Sequence, residues 1–79
     1  MDTYKEIETK LHNLEPFRGN SLHAIKNLDS NTLEVYSYST LIATAHAPSS
    51  AKRVYWLAQS KYSVTTSRHQ NLIRRAWGL

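Results

Sequence analysis

The C-terminal segment, residues 67–77, sorts its side chains onto the two sides of an α-helix. At 100° per residue, one side collects Leu72, Ala76, His69, Ile73 and Trp77, and the other collects Ser67, Arg68, Gln70, Asn71, Arg74 and Arg75. An amphipathic helix of this kind is stable only when its apolar side packs on another layer, so the rest of the chain must supply one. Ser67 and Gln70 match a capping box, with Thr65 or Thr66 as alternative caps, and Gly78 is suited to end the helix.

A second, narrower helix is predicted at the N-terminus. Asp2 or Thr3 can cap it, and an apolar stripe follows at three- and four-residue spacing. The stripe consists of Tyr4, Ile7, Leu11 and Leu14. Pro16 disfavours helical geometry in the residue before it, so the helix should end near Leu14.

Strand patterns fill the middle of the chain. The candidates are residues 22–26, 32–38, 40–46 and 53–59. Apolar and polar side chains alternate within residues 32–38, as they do in a half-buried strand. The stretch 32–46 is too long for one ordinary strand, so we expect a turn near residues 37–39. Residues 47–51 have loop composition, and residues 61–66 should lead into the final helix.

In the last of these strands, Val54, Trp56 and Ala58 should face one way and Tyr55 and Leu57 the other. The predicted fold is therefore α+β, in a single domain spanning residues 1–79. It consists of an N-terminal helix, a three- or four-stranded antiparallel sheet and a C-terminal amphipathic helix. Both helices should pack on one face of the sheet, since neither can bury its apolar side alone.

Size and composition bound the class of protein. A chain of 79 residues supports one thin core, and a hydrophobic content of 41% argues against disorder. The absence of cysteine fits a reducing cytoplasm. The first residues lack the apolar run of a signal peptide, and no stretch approaches the roughly 20 apolar residues that span a bilayer. We therefore expect a cytoplasmic protein without a membrane partner.

Charge is distributed unevenly along the chain. Residues 1–34 hold all six acidic side chains and four basic ones, whereas residues 35–79 hold six basic side chains and no acid. Exposed faces normally interleave both signs, so an acid-free half predicts an anionic partner. That partner is either nucleic acid or an acidic or nucleic-acid-handling host protein. The residues expected to bind it are Lys52, Arg53, Lys61, Arg68, Arg74 and Arg75.

The four histidines do not form a metal-binding pattern. None is paired at ligand spacing and no cysteine joins them. His69 projects into the middle of the apolar side of its helix, so we expect it to be buried and hydrogen-bonded to backbone or to a tyrosine hydroxyl. With two glycines in total, the chain has no phosphate-cradling loop. We therefore assign no catalytic residue, no metal and no cofactor, and expect a protein that is not an enzyme.

Three segments together resemble a known type of domain. Residues 19–22 (GNSL), 35–43 (VYSYSTLIA) and 62–70 (YSVTTSRHQ) resemble a small domain family of bacteriophages and other mobile elements. The resemblance spans roughly residues 17–73 and leaves the first helix outside it. It implies a phage accessory protein acting in a bacterial cytoplasm, where small proteins often block a host defence. It carries no active-site residues over to this chain.

Several functions therefore compete. The first is a nucleic-acid-binding module that uses the basic residues on phosphates. The second is an anti-defence, anti-CRISPR-like inhibitor that binds a host effector protein directly. A small nuclease built on His69 ranks last. Tyr36, Tyr38 and Tyr55 can share a sheet face on which bases stack, although packing over the core is the stronger interpretation. The stripe on the first helix has coiled-coil spacing and allows a homodimer through that helix.

Overall fold

Two helices cover one face of a five-stranded antiparallel sheet in the computed structural model, which describes residues 2–47, 52–58 and 64–79. The elements are α1 (Tyr4–His12), β1 (Phe17–Arg18), β2 (Leu22–Asn27), β3 (Thr32–Ser37), β4 (Thr40–His46), β5 (Val54–Leu57) and α2 (Val64–Trp77). The strands form a meander, in which each strand pairs with the next along the chain. The α+β prediction is confirmed, but the strand count of three or four is wrong.

The additional strand is β1. Phe17 lies opposite Ala24 and Arg18 lies opposite His23, so β1 extends the sheet beyond β2. A two-residue strand is too short to show the alternation by which strands are predicted from sequence. Pairing with β2 therefore defines this strand, and its own residues do not.

Helix α1 begins at the predicted cap. The hydroxyl of Thr3 accepts from the backbone N–H of Glu6 at 3.3 Å, and the Glu6 carboxylate accepts from the Thr3 backbone N–H at 3.1 Å. This reciprocal capping box satisfies two donors that the helix leaves free. The helix ends at His12, two residues before the predicted Leu14. Leu14 has a left-handed backbone (φ 56°) and a buried side chain, so the chain leaves the helix before it reaches Pro16.

Helix α2 begins earlier than the capping motif predicts. Its first residue is Val64, so Ser67 and Gln70 both lie inside the helix and the predicted capping box is wrong. Gln70 is also misplaced by the helical projection, which assigns it to the polar side. Its side chain is buried and donates from Nε2 to the carbonyl of Ala58 at 2.8 Å.

The central strands follow the predicted alternation. Leu33 and Val35 are buried on the helix side, and a bulge between Val35 and Tyr36 lies opposite the buried Ile42. The predicted turn is present at residues 38–39. Strand β5 ends at Leu57, so Ala58 does not share the face of Val54 and Trp56 as predicted. It is buried and donates its backbone N–H to the carbonyl of Ile42 at 2.8 Å. The predicted segments 48–51, 59–60 and 61–63 lie outside the described residues.

The core lies between the helices and the sheet. It contains buried apolar side chains from α1, from α2 and from the inner face of the sheet: Ile7, Leu11, Leu14, Phe17, Leu22, Ala24, Leu33, Val35, Ile42, Ala43, Ala45, Leu57, Leu72, Ile73, Ala76 and Trp77. Trp77 ties the two helices together, because its indole N–H donates to the carbonyl of Leu11 at 2.9 Å. Both helices therefore sit on one face, as predicted, and no described helix covers the opposite face.

Candidate functional site

The outer side of α2 carries the arginines that the charge pattern singles out. Burial of Leu72, Ile73 and Trp77 fixes the rotation of the helix about its axis. That rotation exposes Arg68, Arg74 and Arg75, which we call the α2 basic face. The prediction that these three side chains point outward is confirmed, because their positions follow from the same helical repeat that buries the apolar side.

A shallow groove runs between α1 and α2. Its volume is about 260 Å³, and it is lined by Tyr4, Arg68, Asn71, Leu72 and Arg75. Tyr4 belongs to the predicted apolar stripe of α1, yet 63% of its surface is exposed. The α1–α2 groove thus combines two guanidinium groups, a side-chain amide and an exposed aromatic ring. These groups suit an anionic ligand with a planar portion.

Arg75 forms an ion pair with an acidic side chain of α1. The Glu8 carboxylate lies 3.1 Å from its Nη2 and accepts a second contact from its Nε at 3.2 Å. Both contacts reach the same oxygen, Oε1, and the pair is largely exposed, so its contribution to stability is small. The charge count suggested that the bases of residues 35–79 have no acid near them. This is wrong for Arg75, because α1 places Glu8 from the first half of the chain beside it.

The other two arginines of the face differ from Arg75. Arg74 donates to the side-chain oxygen of Asn71 at 3.1 Å, a neutral partner within the same helix. Arg68 forms no hydrogen bond or ion pair with any residue that the structure describes, and it lines the groove. Its five donors are therefore available to a ligand without exchange for an internal partner.

The remaining predicted binding residues lie elsewhere or outside the described chain. Arg53 donates from Nη1 to the carbonyl of His12 at 2.6 Å, so it closes the C-terminal end of α1. Lys52 is exposed next to it, before β5. Lys61 lies outside the described residues. Of the six predicted positions, the groove brings together Arg68 and Arg75.

His69 occupies a buried polar cluster. Its Nδ1 lies 2.8 Å from the hydroxyl of Ser37, which also contacts the Thr66 hydroxyl at 3.0 Å, and its Nε2 lies 3.4 Å from the hydroxyl of Ser21. Burial lowers the pKa of His69, because the charged imidazolium loses its hydration. The neutral ring therefore joins α2 to the β1–β2 connection through Ser21 and to the last residue of β3, Ser37.

This cluster confirms the inward orientation of His69, but its partners are serine hydroxyls rather than backbone or tyrosine groups. Ser21, Ser37 and His69 come from the three segments on which the family resemblance rests. The ring is 1% exposed, which closes it to any substrate of appreciable size. The sequence signal that could have found the partners is the recurrence of small hydroxyl residues in those three segments.

The aromatic residues do not share one sheet face. Tyr36 lies on the helix-free face and stacks on His23 with ring centroids 5.2 Å apart. Tyr55 lies on the helix side and stacks on Trp77 at 4.8 Å. Tyr38 sits in the β3–β4 turn with φ 56°. The prediction that three tyrosines share a stacking face is therefore wrong, because Tyr55 packs against Trp77 of α2 on the helix side of the sheet.

The first-helix stripe is used within the chain. Ile7, Leu11 and Leu14 are buried in the core, so Tyr4 alone remains exposed. A dimer through α1 stays a prediction, and it has only one side of that helix left to use.

Within the described ranges, no group of three or more His, Asp or Glu side chains is placed to hold a metal ion. No described helix is long and apolar enough to cross a bilayer.

The fold and the groove define a small α+β domain with a basic helical face. The chain belongs to a protein family of unknown function (DUF8033), whose model matches residues 1–76. The match includes α1, which the resemblance in the sequence left outside. No curated protein and no solved structure shows a significant match to the chain.

Proposed function

We propose that this protein is a non-enzymatic accessory protein that binds nucleic acid, or the nucleic-acid-binding site of another protein, through the α2 basic face. The observation that supports this most is Arg68, which is exposed in the α1–α2 groove and has no partner among the residues that the structure describes. The phage or mobile-element origin and the bacterial cytoplasm implied by the three resemblance segments are part of the same proposal.

The groove offers the two kinds of contact that single-stranded nucleic acid uses. Arg68 presents a planar fork of donors that matches a phosphate. Tyr4 presents a ring on which a base can stack. Arg75 contributes less, because it must first give up part of its pair with Glu8. Lys52, Arg53 and Lys61 add long-range attraction, since they raise the positive potential of the second half.

A salt titration tests this proposal. Fluorescence anisotropy of labelled single-stranded DNA, duplex DNA and RNA should show binding that weakens steeply with salt. Arg68→Gln should lower affinity for all three and reduce the log–log salt slope by about 0.7–0.9, the value expected for one lost phosphate contact. Arg18→Gln is the matched control, because it removes an exposed arginine from the opposite side of the sheet.

Two results would overturn the proposal. One is a wild-type protein that binds none of the three probes or binds them without salt dependence. The other is an Arg18→Gln variant that loses as much affinity as Arg68→Gln, since that would show a net-charge effect without a site.

The alternative is an anti-defence, anti-CRISPR-like inhibitor that binds a host effector protein directly. Glu8 favours this alternative, because a carboxylate 3.1 Å from Arg75 repels phosphate but can pair with a basic group on a protein. A pull-down from nuclease-treated bacterial lysate separates the two functions. Recovery of a stoichiometric protein by the wild type but not by Arg68→Gln supports the inhibitor function. A parallel pull-down from untreated lysate that recovers nucleic acid alone counts against that function.

A further inference from the structure

The helix-free face of the sheet is unusually apolar for a surface open to solvent. Side chains that alternate away from the core come from β2, β3, β4 and β5, and Ile25, Glu34, Thr44 and Trp56 form one row across it. The outer sheet face, as we call it, carries the large side chains of His23, Ile25, Tyr36, Leu41, Val54 and Trp56, interspersed with the polar side chains of Asn27, Thr32, Glu34, Thr44 and His46. A solvated sheet face normally carries polar residues at such positions.

The exposure of these side chains is substantial. The exposed fraction is 49% for Ile25, 36% for Leu41, 60% for Val54 and 47% for Trp56. Val54 and Trp56 lie on β5, the edge strand, and Ile25 lies three strands away. Exposed apolar groups therefore lie on both sides of Glu34 and Thr44, which separate Ile25 from Trp56 in the central row. Exposed apolar groups spread across one face of a sheet mark an interaction site.

Charge decides which occupant fits. Among the described residues, the outer sheet face carries one acid, Glu34, and one base, Arg18, which shares the face with His23 through their register. Glu34 lies in the middle row, where it would repel the phosphates of a nucleic acid. Its carboxylate accepts from the Tyr36 hydroxyl at 3.3 Å, which partly offsets the cost of covering it with a second copy. The chain as a whole carries a net charge of +4, so two copies that met through their α2 basic faces would bring like charges together. Two copies avoid this repulsion only when they associate through a nearly neutral face.

We propose that two copies of this chain associate through their outer sheet faces. The two sheets pack face to face about 10 Å apart, as in a β-sandwich, and the symmetric pair buries the same residues from each copy. The helices of each copy then lie outermost. This arrangement leaves both α1–α2 grooves exposed, so the dimer is compatible with ligand binding but does not depend on it.

The dimensions of the face set the strength of the dimer. Five strands lie about 4.8 Å apart, and the three central ones have six or seven residues that rise about 3.3 Å each, so the face measures at most roughly 20 × 20 Å. That flat area of roughly 400 Å² understates the corrugated surface, which still falls short of the about 800 Å² per partner of a standard interface. We therefore expect a weak dimer, with a Kd on the order of micromolar to tens of micromolar.

Sedimentation equilibrium of the full chain tests the proposal, on nuclease-treated protein in 0.5 M salt over about 1 to 500 µM, which brackets that Kd. The wild-type mass should rise from monomer toward dimer across this range. Ile25→Glu should weaken association at least tenfold. Leu28→Glu should associate like wild type, because Leu28 is 84% exposed in the turn after β2, outside the outer sheet face.

Circular dichroism first establishes that each variant is folded, and Val54→Lys replaces Ile25→Glu if that variant unfolds. A wild-type chain that stays monomeric over the whole range overturns the proposal. So does a folded Ile25→Glu or Val54→Lys variant that dimerises as tightly as wild type. Equal loss in Leu28→Glu would also overturn it, since added charge anywhere would then suffice.

Discussion

Replacement of His69 by alanine tests whether the buried polar cluster holds the fold together. The change removes a ring that is 1% exposed and its 2.8 Å hydrogen bond to Ser37. Deleting a buried phenylalanine ring costs about 3–5 kcal/mol, and the smaller imidazole should cost about 2–3 kcal/mol. Loss of the hydrogen bond adds about 1 kcal/mol, because Ser37 keeps its contact with Thr66 at 3.0 Å. The total of about 3–4 kcal/mol is a large share of the roughly 4–12 kcal/mol expected for a chain of this length.

Urea unfolding followed by far-UV circular dichroism measures this loss as a difference in the free energy of unfolding. Thermal melting should show a fall in Tm of about 12–30 °C, at about 4–8 °C per kcal/mol for a domain of this size. His12→Ala is the control, since that side chain is exposed and its ring makes one long contact, 3.4 Å to the carbonyl of Ala76, so the change should cost about 1 kcal/mol or less. A loss below about 1 kcal/mol in His69→Ala would refute the structural role and reopen a functional one.

Three further predictions concern stability. Burial holds the pKa of His69 below 6.5, so the unfolded chain takes up a proton before the folded one as the pH falls. The free energy of unfolding should therefore decrease as the pH falls past about 6.5, by at most about 1.4 kcal/mol per pH unit. Urea unfolding between pH 5 and 7 should show this slope in the wild type and not in His69→Ala. Gly19→Ala should cost about 1–3 kcal/mol by the same assay, because its Cβ would lie 2.9 Å from the carbonyl oxygen of Leu22. Thr3→Ala should cost about 1 kcal/mol through loss of the capping box with Glu6, visible as a lower urea midpoint.

Local pattern explains what could be predicted from the sequence. The helical repeat correctly buries His69 and exposes the arginines of the α2 basic face, because both follow from rotation about a single axis. Alternation correctly assigns the faces of β3. Strand β1 could not be predicted, since only its pairing with β2 defines it. Gln70 was misassigned because the carbonyl of Ala58, just after β5, provides the partner that allows its amide to be buried.

The candidate site was only partly predictable for a related reason. The arginines could be listed from composition, but their environment depends on how α1 packs beside α2. That packing places Glu8 against Arg75 and leaves Arg68 unpaired among the described residues. Charge counts along the chain cannot foresee such a pair, because they treat residues 1–34 and 35–79 as separate surfaces. The groove itself is formed by side chains about 70 residues apart, such as Tyr4 and Arg75.

The most direct test of the proposed binding site is the affinity of Glu8→Gln for nucleic acid. This change keeps the shape of the side chain and releases Arg75 to bind a second phosphate beside Arg68. We expect Glu8→Gln to bind about two- to fivefold more tightly, with a salt slope steeper by about 0.7–0.9. Glu15→Gln, which removes an exposed acid outside the groove, should have a smaller effect. Binding by Glu8→Gln that is unchanged, weaker, or no tighter than that of Glu15→Gln would contradict the assignment of the groove as the site.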